Sequence, residues 1–142
     1  MNTDTVEDFI CSLSPCLNAD QERAFRLIAQ HTIEKPANPL RMFIGGPGGT
    51  GKSYVIACLN NCFLHTNQTR RFRLCLYTGV AANNISGMTL HSALSFTNMS
   101  FAKANSASHR DLLAMWEGVD YLFIDEVSMI GCAFLYRISQ AL

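Results

Sequence analysis

Charge is scarce in this sequence. Only 15% of its 142 residues are Asp, Glu, Lys or Arg, and eleven acids balance eleven bases. A formal net charge of zero excludes the bulk attraction that gathers strongly basic chains onto nucleic acid. No apolar run reaches the roughly 20 residues that a membrane-crossing helix needs. The first residues are acidic and lack the basic and apolar stretches of a secretion signal. Six cysteines are present (Cys11, Cys16, Cys58, Cys62, Cys75 and Cys132), but no C-x-x-C pair and no Cys/His zinc spacing. They read as reduced, mostly buried thiols of an intracellular protein. Internal repeats are lacking too. A hydrophobic content of 49% excludes a disordered chain, and the length suits one domain with a sizeable core.

What is present is a phosphate-binding loop. Gly46-Pro47-Gly48-Gly49-Thr50-Gly51-Lys52-Ser53 fits the pattern G-x-x-x-x-G-K-[ST]. Glycines let the backbone turn tightly around an anion with N–H groups pointing inward. Lys52 can then reach the β- and γ-phosphates, and the Ser53 hydroxyl can bind Mg²⁺. Leu40 to Ile44 reads as a short buried strand entering the loop. From Lys52 to about His65, Val55, Ile56, Leu59, Cys62 and Phe63 recur at helical spacing. Strand, Gly-rich turn and helix together aim a helix N-terminus at phosphates.

Around this unit the chain alternates. Residues 1–16 read as a weakly ordered lead-in, and residues 17–142 as one domain. Asn18-x-x-Gln21 has the form of a capping box opening a helix, which Pro36 and Pro39 end. Phe72 to Tyr77 is a second strand. Short helices are expected over Val80–Ile85 and Thr89–Leu94, with a surface loop over 95–108. A helix over Arg110–Trp116, a strand over Tyr121–Ile124 and a helix over Met129–Leu142 complete the pattern. Strands alternating with helices imply a parallel sheet covered by helices.

A second chemical feature is the apolar strand that ends in Asp125-Glu126. Strand ends carry carboxylates to the ligand-binding edge of a parallel sheet. Asp125 would hold Mg²⁺ beside Ser53, and Glu126 would act as general base on water. That acid pair favours hydrolysis over transfer to a small acceptor, as in a phosphate-loop kinase. Other segments carry two readings each. The Gln21 amide could read an adenine edge or only complete its capping box. Thr78 to Ile85 could admit a phosphodiester backbone or be an ordinary strand-to-helix turn. His91, with Thr89 and Ser92, could donate to DNA or serve structure alone. Phe96, Phe101 and Trp116 could stack on bases or pack a core. Arg70-Arg71-Phe72-Arg73 could contact nucleic acid or be a solvated loop.

Taken in order, Leu17–Gln21, Gly45–Ser53, Thr78–Asn83, Thr89–Ser92 and Phe123–Met129 resemble the motifs of the petite-integration-frequency helicases of superfamily one. These are 5′-to-3′ DNA helicases related to the helicases of rolling-circle transposons. The resemblance implies a RecA-like phosphate-loop domain that binds ATP and Mg²⁺ and moves on single-stranded DNA, in repair, recombination or telomere or transposon maintenance. It implies adenine reading by Gln21, phosphate binding by Gly46, Gly48, Gly49, Thr50, Gly51, Lys52 and Ser53, and DNA contacts by Thr78, His91 and Ser92. A nucleus or mitochondrion is the compartment it suggests. The family continues into a Gly-Asp-x-x-Gln segment and a second motor domain with Arg fingers, which this sequence does not contain. An incomplete sheet is therefore expected, bare between the phosphate-loop strand and the Asp-Glu strand. Slow or absent turnover is expected with it, since Arg fingers are worth about three to five orders of magnitude in rate. The alternative is a non-catalytic nucleotide-binding module or a decayed helicase fragment.

Overall fold

A computed structural model describes residues 1–77, 88–94 and 107–141. The chain divides into two compact units, Met1–Thr69 and Arg70–Leu142.

The first unit holds three helices: α1 (Thr3–Ser12), α2 (Ala19–Glu34) and α3 (Lys52–His65). The capping box of α2 forms as expected. Asn18 Oδ1 accepts from the Gln21 N–H at 3.0 Å, and Gln21 Oε1 accepts from the Asn18 N–H at 2.9 Å. At the other end Lys35 takes the left-handed conformation and donates to the His31 carbonyl, directly before Pro36. Phe25, Ile28 and Ala29 of α2 are buried, as are Val55, Leu59 and Phe63 of α3.

The lead-in expected over residues 1–16 is corrected by α1. Asn2 caps it by accepting from the Thr5 N–H at 2.8 Å. Val6 and Phe9 are buried, and the Phe9 ring stacks on Phe25 at 5.9 Å and meets His65 edge-on at 5.6 Å. Burying a Phe side chain contributes about 1.5–3 kcal/mol, enough to hold a short helix against a larger one. The Glu7–Arg26 ion pair beside it is only half-buried and adds little.

The strand expected over 40–44 does not form. Strand structure exists through ladder bonds to a neighbour, and no described residue pairs with this segment. Leu40, Met42 and Phe43 are exposed instead, Phe43 by 77%.

The second unit is built on a parallel sheet of β1 (Phe72–Leu76), β2 (Met88–Thr89) and β3 (Tyr121–Asp125), in the order β2-β1-β3. Leu76 stands opposite both Thr89 and Asp125 in the register. Helices α4 (Leu90–Ala93), α5 (Ala107–Trp116) and α6 (Cys132–Ala141) accompany it. Cys75, Leu90, Ala93, Leu94 and Ile138 form its core. Phe72 and Phe123 stack across neighbouring strands at 4.4 Å. The expected helix over 129–142 begins later, at Cys132, because a short 3₁₀ turn over Val127–Met129 precedes it. Thr89 lies in β2 and caps α4, accepting from the Ser92 N–H at 3.2 Å.

The basic cluster Arg70–Arg73 has a structural use. Arg70 Nε donates to the Glu117 carbonyl at 2.8 Å, and its Nη2 to the Ala114 carbonyl at 3.2 Å. Arg73 Nη2 donates to the Met115 carbonyl at 2.6 Å, and Arg71 pairs with Asp120. Guanidinium groups thus satisfy carbonyls that the end of α5 leaves without helical partners. Trp116 likewise anchors: its indole N–H donates to the Ala93 carbonyl at 2.8 Å. Phe96, Phe101 and the segment 78–87 lie outside the described residues.

Candidate nucleotide-binding site

The phosphate loop sits in the first unit, between the extended segment 40–45 and α3. Gly49 and Gly51 both have φ near +79°, a conformation that side chains rarely adopt. Gly51 is the N-cap residue of α3, and no side chain caps that end. The positive end of the helix dipole at that start favours an anion.

Side chains close the loop on itself. Lys52 Nζ donates to the Gly46 and Pro47 carbonyls, both at 2.8 Å. Thr50 Oγ1 donates to the Pro47 carbonyl at 2.9 Å. From α2, Gln21 Nε2 donates to the Thr50 carbonyl at 3.2 Å and makes a longer contact with Gly51 O at 3.5 Å. An open cavity of about 610 Å³ adjoins the loop, lined among others by Gln21, Arg23, Phe43, Thr50 and Lys52. Ser53 lies exposed in the first turn of α3. Gln21, read apart from the phosphate loop, therefore borders one cavity with the loop residues Thr50 and Lys52. Gly48 has open space around its Cα, so its loop position rather than a close contact defines it.

The acid pair is in the second unit. Asp125 ends β3 and is half-buried, while Glu126 is exposed. Glu126 has φ 57°, left-handed for a residue that is not glycine. Its N–H donates to Asp125 Oδ1 at 2.9 Å. Such backbone is strained by about 1–3 kcal/mol, and strain of this kind gathers at active sites.

At the same end of the sheet, His91 and Ser92 are exposed on α4. The His91 ring stacks on Phe134 of α6 at 4.6 Å, with Tyr77 tilted 6.1 Å away. Sequence reading missed that partnership, since a contact across 43 positions leaves no local signal. Thr78, the other DNA-contact candidate, lies outside the described residues. All six cysteines are free thiols, and burial pushes Cys62 and Cys75 up to about 11.

Comparison with known proteins agrees with this geometry. The family described as AAA domain matches residues 29–142. The "ATP-dependent DNA helicase RRM3" of Saccharomyces cerevisiae is 30% identical over 98% of this chain and 19% of its own length. The "ATP-dependent DNA helicase PIF1" of the same species is 27% identical over 87% of this chain and 14% of its own length. The "ATP-dependent DNA helicase PIF7" of Trypanosoma brucei brucei is 31% identical over 83% of this chain and 12% of its own length. The chain thus spans less than a fifth of the length of these curated relatives. Three parallel strands flanked by helices make up part of a RecA-like phosphate-loop domain. The chain belongs to the AAA-domain family and, within it, to the petite-integration-frequency helicases.

Proposed function

We propose that this chain is the ATP-binding part of an ATP-dependent DNA helicase that couples hydrolysis to movement on single-stranded DNA. The observation that carries the reading is the phosphate loop itself: an uncapped helix start behind glycines in the left-handed region, with Lys52 poised over it. On binding, Lys52 exchanges the Gly46 and Pro47 carbonyls for phosphate oxygens, which attract an ammonium more strongly. Gly46, Gly48, Gly49, Thr50, Gly51 and Ser53 supply the rest of the cradle.

Ser53 and Asp125 are the residues that would hold Mg²⁺. Both are hard oxygen donors of the kind that ion takes. Among the described residues no three His, Cys, Asp or Glu side chains gather to bind a metal on their own. When bound, Mg²⁺ neutralises charge on the phosphates. Glu126 serves as general base, its carboxylate projecting from an exposed position beyond the strand end. Gln21 borders the cavity where a base would sit. Thr78, His91 and Ser92 are the DNA contacts. The setting is repair, recombination or telomere or transposon maintenance, in a nucleus or mitochondrion, with a second motor domain completing the enzyme.

A non-catalytic nucleotide-binding module is the second reading. It is favoured by the structural engagement of Arg70 and Arg73 with carbonyls at the end of α5 and of Arg71 with Asp120, which withholds them from a transferring phosphoryl group. Two measurements decide. Lys52→Ala is expected to lower MgATP affinity at least a hundredfold by titration calorimetry; retained affinity would remove the site assignment. Phosphate release stimulated by single-stranded DNA supports the motor, and tight binding without release supports the module.

A further inference from the structure

Gln21 is placed to do more than read a base. Every hydrogen-bonding end of its amide is engaged: Oε1 accepts from the Asn18 N–H, and Nε2 donates to the Thr50 carbonyl with Gly51 O close by. The network fixes which end is oxygen, since a carbonyl cannot donate to a carbonyl. One amide therefore joins the start of α2 to the phosphate loop 29 residues away.

The consequence follows from the planar trans peptide. The C=O of Thr50 and the N–H of Gly51 belong to one peptide and point in opposite directions. Tying that carbonyl to α2 turns the Gly51 N–H away from α2. The first free donor of the loop-to-helix junction is then oriented before any ligand arrives. Gly51 is also the residue that makes room for the tie. A Cβ there would stand 2.4 Å from Gln21 Nε2, and φ at this position is +79°.

We infer that Gln21 is a positioning residue for the phosphate loop, orienting its N–H donors for a polyphosphate whatever base is attached. The inference rests on the phosphate-loop reading above and deepens it. A purine that takes the amide must draw it from the loop or the cap, so the same side chain links the base end of a nucleotide to its phosphate end.

The test uses the whole chain and Mg²⁺-tripolyphosphate, which has no base. Gln21→Met removes the amide at similar length and adds no charge. Asn18→Ala removes the side-chain cap of α2 but keeps the Gln21 amide. Tripolyphosphate and ATP are both expected to bind about tenfold more weakly to Gln21→Met, as for a lost orienting hydrogen bond. Asn18→Ala should lower the melting temperature and leave tripolyphosphate affinity within about twofold, well below the tenfold (about 1.4 kcal/mol) step. Without any ligand, NMR should show a cross-relaxation peak between the Gln21 side-chain amide protons and Gly51 Hα. The inference is overturned if that peak is absent, if only ATP binding weakens, or if Asn18→Ala weakens tripolyphosphate equally. If Lys52→Ala leaves tripolyphosphate binding intact, the phosphate-loop reading fails instead, whatever the peak shows.

Discussion

Two apolar segments of this chain, 40–44 and 121–125, carry the same sequence signature and lead into the two chemical motifs. Their supports differ. Tyr121–Asp125 is a paired strand, registered residue by residue against β1, and delivers Asp125 at its end. Leu40–Ile44 has no strand partner among the described residues, and the loop beyond it is held by Lys52, Thr50 and Gln21 through side-chain bonds. A ladder fixes a carboxylate through backbone geometry. A loop without one needs its own side chains, and those are the groups that a nucleotide would recruit.

The largest expected effect sharpens that contrast directly. Leu76 is 1% exposed in β1, whereas Phe43 is 77% exposed. Leu76→Ala should destabilise the protein by about 2–5 kcal/mol in urea unfolding. Phe43→Ala should change it by less than about 0.5 kcal/mol. Equal effects would mean that 40–44 is packed as firmly as the sheet.

A second test uses pH. Burial raises the thiols of Cys62, on α3, and Cys75, on β1, to about 11. A raised folded-state pKa means that the neutral thiol is favoured by folding. Stability from these groups is fully present below the unfolded thiol range, near pH 9, and is lost as pH rises through about 11. Thermal melts between those limits should fall in midpoint, and Cys75→Ala should flatten the fall. Alkylation at pH 8 should mark the exposed Cys11, Cys16 and Cys132 long before the buried three.

The smallest effect concerns the paired strand's far end. Glu126→Gly should stabilise by about 1 kcal/mol, because glycine takes the left-handed conformation without strain. If Glu126 is the proposed general base, the same substitution should also abolish DNA-stimulated phosphate release. A destabilised variant would show that Glu126 is held there by packing rather than strained for use.

Legibility in the sequence followed the range of the interactions. The capping box of α2, the helical spacing of α3 and the apolar runs of β1 and β3 are local, and all four elements form. Helix α1 also had a local signal, an Asn2 cap with Val6 and Phe9 at helical spacing, although the segment read as a lead-in. Apolar composition at 40–44 conveyed suitability for a strand, but pairing depends on a neighbour that local sequence does not specify. The Gln21–Thr50 and His91–Phe134 contacts join distant positions and had no sequence signal. Arg70 to Arg73 read as charge; their carbonyl partners became visible only once α5 was placed beside them.

The single tryptophan of the chain lies in the second unit, bonded through its indole to the Ala93 carbonyl. Its emission is therefore a private reporter for that unit, silent about the helices that hold the phosphate loop. The first unit holds no tryptophan and most of the described helix, so its melting is read from the helix signal. Comparing the tryptophan melt with loss of helix signal from the whole chain would then record whether the two halves melt as one cooperative body or in separate steps.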